Sequence, residues 1–275
     1  MWNEWLAAQE KVAGPQLART RDIVLAHAAL RPGETVLDMG AGRGLIALGA
    51  AERLGPNGRV IACDLDAACL AALRAAARRV GRGGQVCVLE ADITALPLAA
   101  ASVDVATTRS VLELVPDRPA AASEAFRVLR PGGRISCFEP LNCYLTPHHK
   151  LIDLEPLGDL GGEIIALFEA VYGDTNEPML TFDERDLMRI FEAAGFVEVG
   201  INFVLRWERH RLTEEQALQR LTQRGAATRP TIMELIAGHL GTDAAECYAT
   251  YFVQTAPTRV LAERKGSVFV WGRKP

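Results

Sequence analysis

The chain is 275 residues long, enough for one large α/β domain or a core with an added cap, and its 49% hydrophobic and 23% charged make-up argues against large-scale disorder. Its 30 basic and 34 acidic side chains leave a formal charge of -4, so no global positive field draws it to nucleic acid. The polar, acidic start (Glu4, Gln9, Glu10), the lack of a long uncharged apolar run and six cysteines without a CxxC pair point to a protein of the reducing cytoplasm, with no leader, membrane span or zinc site.

Along the chain, residues 1–30 read as two helical segments broken at Gly14-Pro15, with Trp2, Trp5, Leu6 and Gln9 at helical spacing. A short buried strand at 35–38 leads into a glycine-rich turn, then a helix through Leu45, Leu48 and Leu54 that stops at Gly55-Pro56. A second strand at 59–64 is followed by Asp66, a plausible N-cap for a helix carrying Leu70, Leu73, Ala77 and Val80. Arg74, Arg78, Arg79 and Arg82 read as the wet face and exit of that helix. Strands at 85–90 and 102–108, a helix through Ala122, Phe126 and Leu129, a turn at 130–133 and a strand at 134–139 complete the regular alternation. Such alternation calls for a parallel sheet with helices on both faces, and ligands then bind beyond the carboxyl ends of the strands.

Past residue 140 the rhythm breaks. A Pro-rich stretch at 141–180 contains one helical pattern (Ile164, Ile165, Leu167, Phe168). Phe182–Ala194 reads as a helix, Phe196–Trp207 as a strand, 213–256 as three helical pieces, with Pro230 at a start and Gly241 at a stop, and Ser267–Trp271 as a last strand. The expected division is an N-terminal helical lid at 1–30, a ligand-binding core at 31–140, a lid or substrate insertion at 141–181, the remaining core at 182–207 and 258–275, and a helical insertion at 208–257.

The strongest chemical signal is the run from Val36 to Gly44, in which a strand ends in Asp38 and the turn Gly40-Ala41-Gly42-Arg43-Gly44 opens a helix. Glycines let a backbone approach a ligand closely, and a helix N-terminus offers free N–H groups. The dinucleotide fingerprint would place its third glycine one position later, where Leu45 stands. Asp38 suits an ammonium group better than a pyrophosphate. Asp64 ends the second strand about twenty residues on, where a carboxylate accepts from ribose hydroxyls. Asp92, after the third strand, can accept from an exocyclic amino group, with Ile93 beside an adenine face.

Taken in order, these motifs with Ala91–Leu98, Ser102–Val105 and Leu129–Arg134 resemble those of class I S-adenosylmethionine-dependent methyltransferases, and among them the ubiquinone/menaquinone-biosynthesis-like small-molecule group. The resemblance covers roughly residues 30–140. It implies a doubly wound, seven-stranded, mostly parallel Rossmann-like sheet with an antiparallel last strand and helical lid insertions. It implies S-adenosyl-L-methionine as cofactor, with Asp38, Gly40 and Gly42 on the methionine end, Asp64 on the ribose, Leu65, Asp92 and Ile93 at the adenine, and Arg109 and Ser110 near the methionine and sulfonium. Arg109 is equally read as an ion-pair partner or as a bidentate holder of a carboxylate.

Methyl transfer from a sulfonium needs alignment and exclusion of water more than acid–base help. His148, His149 and Glu139 are the candidate bases, with Asn142 able to orient a polar acceptor. Trp2, Trp5, Tyr248 and Tyr251 are candidate contacts for a ring-bearing small molecule, in secondary metabolism among other settings. The expected partner is a small-molecule acceptor rather than nucleic acid or membrane, with oligomerisation left open. Rival readings are a nicotinamide-dependent oxidoreductase, a related protein that has lost methyl transfer and serves as a cyclase or binding module, and an arsenite methyltransferase, which would need converging thiolates.

Overall fold

The computed structural model describes residues 16–173, 177–223 and 230–275. Seven strands form one sheet in the order β3-β2-β1-β4-β5-β7-β6: β1 Thr35–Met39, β2 Arg59–Asp64, β3 Val86–Glu90, β4 Val103–Arg109, β5 Leu129–Leu141, β6 Val197–His210 and β7 Leu261–Arg273. The pairings β1–β2, β1–β4, β2–β3 and β4–β5 are parallel. The order runs outward from β1 on one side and from β4 on the other, so the topological switch lies between these two strands. A crevice beyond their carboxyl ends is where an open α/β sheet takes its ligand.

The chain divides into two compact units. Of the described residues, the first comprises 16–141, 182–204 and 267–275. Here α1 (Gln16–His27), α2 (Leu45–Arg53), α3 (Ala67–Arg79), α4 (Arg118–Val128) and α6 (Glu184–Ala193) accompany the sheet. Val24, Leu25, Ile46, Leu48, Val60, Leu73 and Val105 share one buried core, which explains why the β1 and β2 segments read as continuous apolar runs. Asp66 caps α3 as its sequence position suggests, accepting from the Ala68 and Cys69 amides.

The second unit comprises 142–181 and 205–266 and contains α5 (Asp159–Tyr172), α7 (Glu214–Thr222), α8 (Ile232–Leu240) and α9 (Thr242–Thr255). Ile164, Phe168, Leu221, Ile236, Tyr248 and Phe252 form its core. Capping boxes at Thr213/Gln216 and Thr231/Glu234 start α7 and α8.

Three strand lengths differ from expectation. Strands β6 and β7 extend to His210 and back to Leu261 because Glu208, Glu263 and Lys265, which read as loop residues, answer each other's charge. Lys265 Nζ lies 2.7 Å from Glu208 and 3.5 Å from Glu263. Strand β5 starts at Leu129 rather than 134: Val103 pairs with Leu129 and Val105 already with Arg134, so the expected turn at 130–133 is an irregularity inside the strand.

Candidate functional site

Strand register brings the predicted rim residues together. Asp38 lies level with Ala62 on β2 and Thr107 on β4, one residue short of the end of β1. Its side chain is 1% exposed. Thr107 Oγ1 donates to Asp38 Oδ1 at 2.9 Å, while Oδ2 is buried without a hydrogen-bond partner. Burial pushes the Asp38 carboxyl up to about 7, with the Thr107 hydroxyl and the Ala47 amide pulling the other way. An orphaned carboxylate oxygen here fits a cationic ligand group: an ammonium ion would supply both the missing donors and the countercharge.

The turn above it is glycine by necessity at Gly40. Its φ is +69°, and a Cβ there would sit 2.2 Å from Val111 Cγ2. Gly42 has φ +50° and open space where its Cβ would be. Its amide donates at 2.7 Å to Asp64 Oδ2, while Asp64 Oδ1 accepts from the Asp66 amide at 2.9 Å. Asp64 therefore ties the turn to the end of β2 and retains lone pairs for a ribose hydroxyl. Gly44 leads into α2 and supplies no side-chain cap.

Leu65 is 68% exposed beside Asp64, an apolar side chain available for a flat ring. Asp92 is exposed, and one of its oxygens accepts from the Thr94 amide and hydroxyl, both at 2.8 Å; the amide bond holds its carboxyl below the ordinary range. Ile93 is buried at 5% exposure and belongs to the wall rather than to an open face. Cys63, at the end of β2, is pushed up to about 12 by burial, and Asp64, Asp38 and Asp92 all act on it in the same direction.

Arg109 ends β4 with its Nε buried and unpartnered, its Cζ 6.0 Å from the Phe138 ring centroid. Burial lowers its pKa, against the attraction of Glu139, Glu113 and Asp38. Ser110 follows with φ +55°, an unusual conformation for a side-chain-bearing residue at a strand tip.

The candidate bases have other surroundings. Glu139 is fully buried, and its two oxygens accept from the Val111, Leu112 and Glu113 amides at 3.1 Å each. Burial still pushes it up to about 8, so it fastens the loop after β4. His148 and His149 are not solvated loop residues. Both are buried in the second unit, and all four ring nitrogens are without partners. His148 packs against Phe252, Phe168 and Tyr248, and burial drives its pKa down to about 3; His149 is stacked on Phe168 and shifted downward by burial as well. Tyr248 is fully buried in the same cluster, its hydroxyl unpartnered. Tyr251 donates to the Asp153 carbonyl at 2.6 Å, and Asn142 opens a short 3-10 turn. Trp2 and Trp5 lie outside the described residues. Sequence reasoning missed Thr107, Val111 and Cys63. Only Thr107 had a readable signal, as one of two adjacent threonines near the carboxyl end of a strand expected on the same rim.

A family model described as a methyltransferase domain matches residues 37–137. An arsenite methyltransferase of Halobacterium salinarum is 37% identical over 132 residues, 48% of this chain and 34% of that protein. A ubiquinone/menaquinone biosynthesis C-methyltransferase of Klebsiella pneumoniae is 31% identical over 173 residues, 62% of this chain and 69% of that protein. The solved geranyl diphosphate C-methyltransferase of Streptomyces coelicolor A3(2) superposes with a TM-score of 0.55 at 18% identity, over 94% of this chain and 79% of that one, a likeness of fold. The chain spans between a third and two fifths of the length of several curated relatives it matches. A seven-stranded switch-point sheet together with the similarity to named methyltransferases defines the class of protein. The chain belongs to the class I S-adenosylmethionine-dependent methyltransferases, in their small-molecule group.

Proposed function

We propose that this protein transfers the methyl group of S-adenosylmethionine to an oxygen, nitrogen or carbon atom of a small, ring-bearing organic molecule. The observation that carries the reading is the buried, unpartnered Asp38 oxygen under a turn where only glycine fits. In this reading Asp38 pairs with the cofactor ammonium, and Gly40 and Gly42 let the chain run close to the methionine portion. Asp64 accepts from the ribose, Leu65 covers the adenine, Asp92 accepts from its amino group and Ile93 backs that wall. Arg109 and Ser110 border the methionine end, with Arg109 offering its free Nε to a carboxylate.

Bound there, the cofactor supplies an already activated methyl group with a neutral leaving group. The chain then has to align the acceptor and exclude water. Alignment without a dedicated base is favoured by the surroundings of His148, His149 and Glu139, whose rings are enclosed or whose oxygens are occupied. Tyr251, Asn142, Trp2 and Trp5 remain the proposed acceptor contacts. An organic acceptor is preferred over arsenite, because among the described residues no three histidine, cysteine or acidic side chains gather as a ligand set. No described helix is long and apolar enough to cross a membrane, and six free cysteines suit the cytoplasm.

The test is incubation of the full chain with methyl-labelled S-adenosylmethionine and ring-bearing acceptors, a hydroquinone and simple phenols. Label should appear in an acceptor together with S-adenosylhomocysteine. Tight nicotinamide-cofactor binding with no response to S-adenosylmethionine would overturn the reading.

A further inference from the structure

At the amino ends of β1–β4, opposite the proposed cofactor rim, the first unit has a concavity of about 750 Å³. Arg59 at the start of β2, Arg74 and Arg78 on α3, and the Gly83-Gly84 turn before β3 line it, and among the described residues no acidic side chain does. Arg130, which also lines it, is matched by Asp104 at 2.6 Å. Arg59, Arg74 and Arg78 make no ion pair or guanidinium hydrogen bond among the described residues. Among the described residues, the backbone amides of Gly83 and Gly84 likewise donate to no protein oxygen. The turn is held against the Arg78 stem, whose Cγ would lie 3.0 Å from a Cβ at Gly83, while Gly84 faces open space.

Three uncompensated guanidinium groups in a concave surface focus a local positive field, here on a chain whose net charge is -4. Consecutive free amides in a glycine turn add directed donors for anionic oxygens. Guanidinium forks match phosphoryl oxygens in geometry, and the volume falls in the range of small-molecule sites. We propose that this groove binds a small ligand carrying two or more phosphoryl groups, at a site separate from the methyl-donor crevice.

The test titrates inorganic tripolyphosphate into the full chain by calorimetry at low ionic strength. Two triple variants are compared: Arg59→Gln/Arg74→Gln/Arg78→Gln in the groove, and Arg185→Gln/Arg206→Gln/Arg209→Gln at exposed positions elsewhere. One saturable site is expected, weakened at least about tenfold by the groove substitutions and less than about twofold by the distant ones, with unchanged melting temperatures. No saturable binding, or equal weakening by both triples, would overturn the proposal. So would a single-stranded RNA oligonucleotide that binds more tightly and is not displaced by tripolyphosphate, since the arginines would then serve a nucleic-acid surface. None of these outcomes depends on methyl transfer.

Discussion

Both units bury polar atoms without partners, but the two cases differ in kind. At the rim, the orphans include Arg109 Nε and one oxygen of Asp38, the latter on a group that gains charge near neutral pH and lies beneath a turn opening onto Gly42 and the exposed Leu65. In the helical unit, the orphans are the His148 and His149 nitrogens and the Tyr248 hydroxyl, enclosed by Phe168 and Phe252. A neutral imidazole or phenol among aromatic rings forfeits a hydrogen bond and is held by packing; a carboxylate cannot remain uncompensated at the same cost. An unsatisfied atom therefore signals a ligand where charge and open space coincide, and signals packing where they do not.

Substitutions should separate the two regions. The largest effect is expected from Gly40→Val, which forces a side chain into Val111 at φ +69°. S-adenosylhomocysteine affinity should fall by at least about 100-fold, or about 2.7 kcal/mol, and Val111→Ala alongside should restore part of it. Calorimetry reads the affinity and thermal melting reports whether the fold survives.

Asp38→Asn keeps the shape and removes the charge. Affinity for S-adenosylhomocysteine should drop about 10- to 100-fold while the melting temperature of the free protein holds or rises, because an amide is less costly to bury than a carboxylate. A fall in both would mean that Asp38 serves the fold alone.

Thr107→Val leaves Asp38 with neither oxygen supported by that hydroxyl and should destabilise the free protein by about 1 kcal/mol in urea unfolding.

The smallest effect, of opposite sign, is expected in the helical unit. His148→Phe and Tyr248→Phe should leave stability at pH 7 unchanged or slightly raised. The His148 pKa of about 3 in the fold lies below its ordinary value of 6.5. Its unfolded form therefore takes up protons first as pH falls, and the wild type loses stability from pH 6.5 toward pH 3. The His148→Phe variant should lose less over that window, read by urea unfolding at pH 7 and pH 5. A large loss of stability in His148→Phe at pH 7 would show that the imidazole holds a polar partner.

The rim was legible in the sequence because its features are local. Strand, carboxylate, glycine turn and helix follow one another within Val36–Leu54, and each obeys a short-range rule. Thr107 supports Asp38 from 69 residues away, through strand pairing that no local pattern specifies. Glu139 read as a rim carboxylate because it ends an apolar strand, yet the loop after β4 folds back and consumes both of its oxygens. His148 and His149 followed a Pro-rich stretch with no period to show burial, and only the packing of α5 and α9 encloses them. Charged residues at the start of β7 hid a strand whose polar side chains are answered across the sheet.

The most direct measurement is S-adenosylhomocysteine affinity across pH 5.5–8.5. Asp38 titrates at about 7 in the free protein and must be ionised to hold an ammonium group, so binding should tighten about tenfold per pH unit up to that point and level off above it. Asp38→Asn should abolish the slope. Binding by the wild type that is equally tight at pH 5.5 and pH 8 would contradict the pairing of this carboxylate with the cofactor.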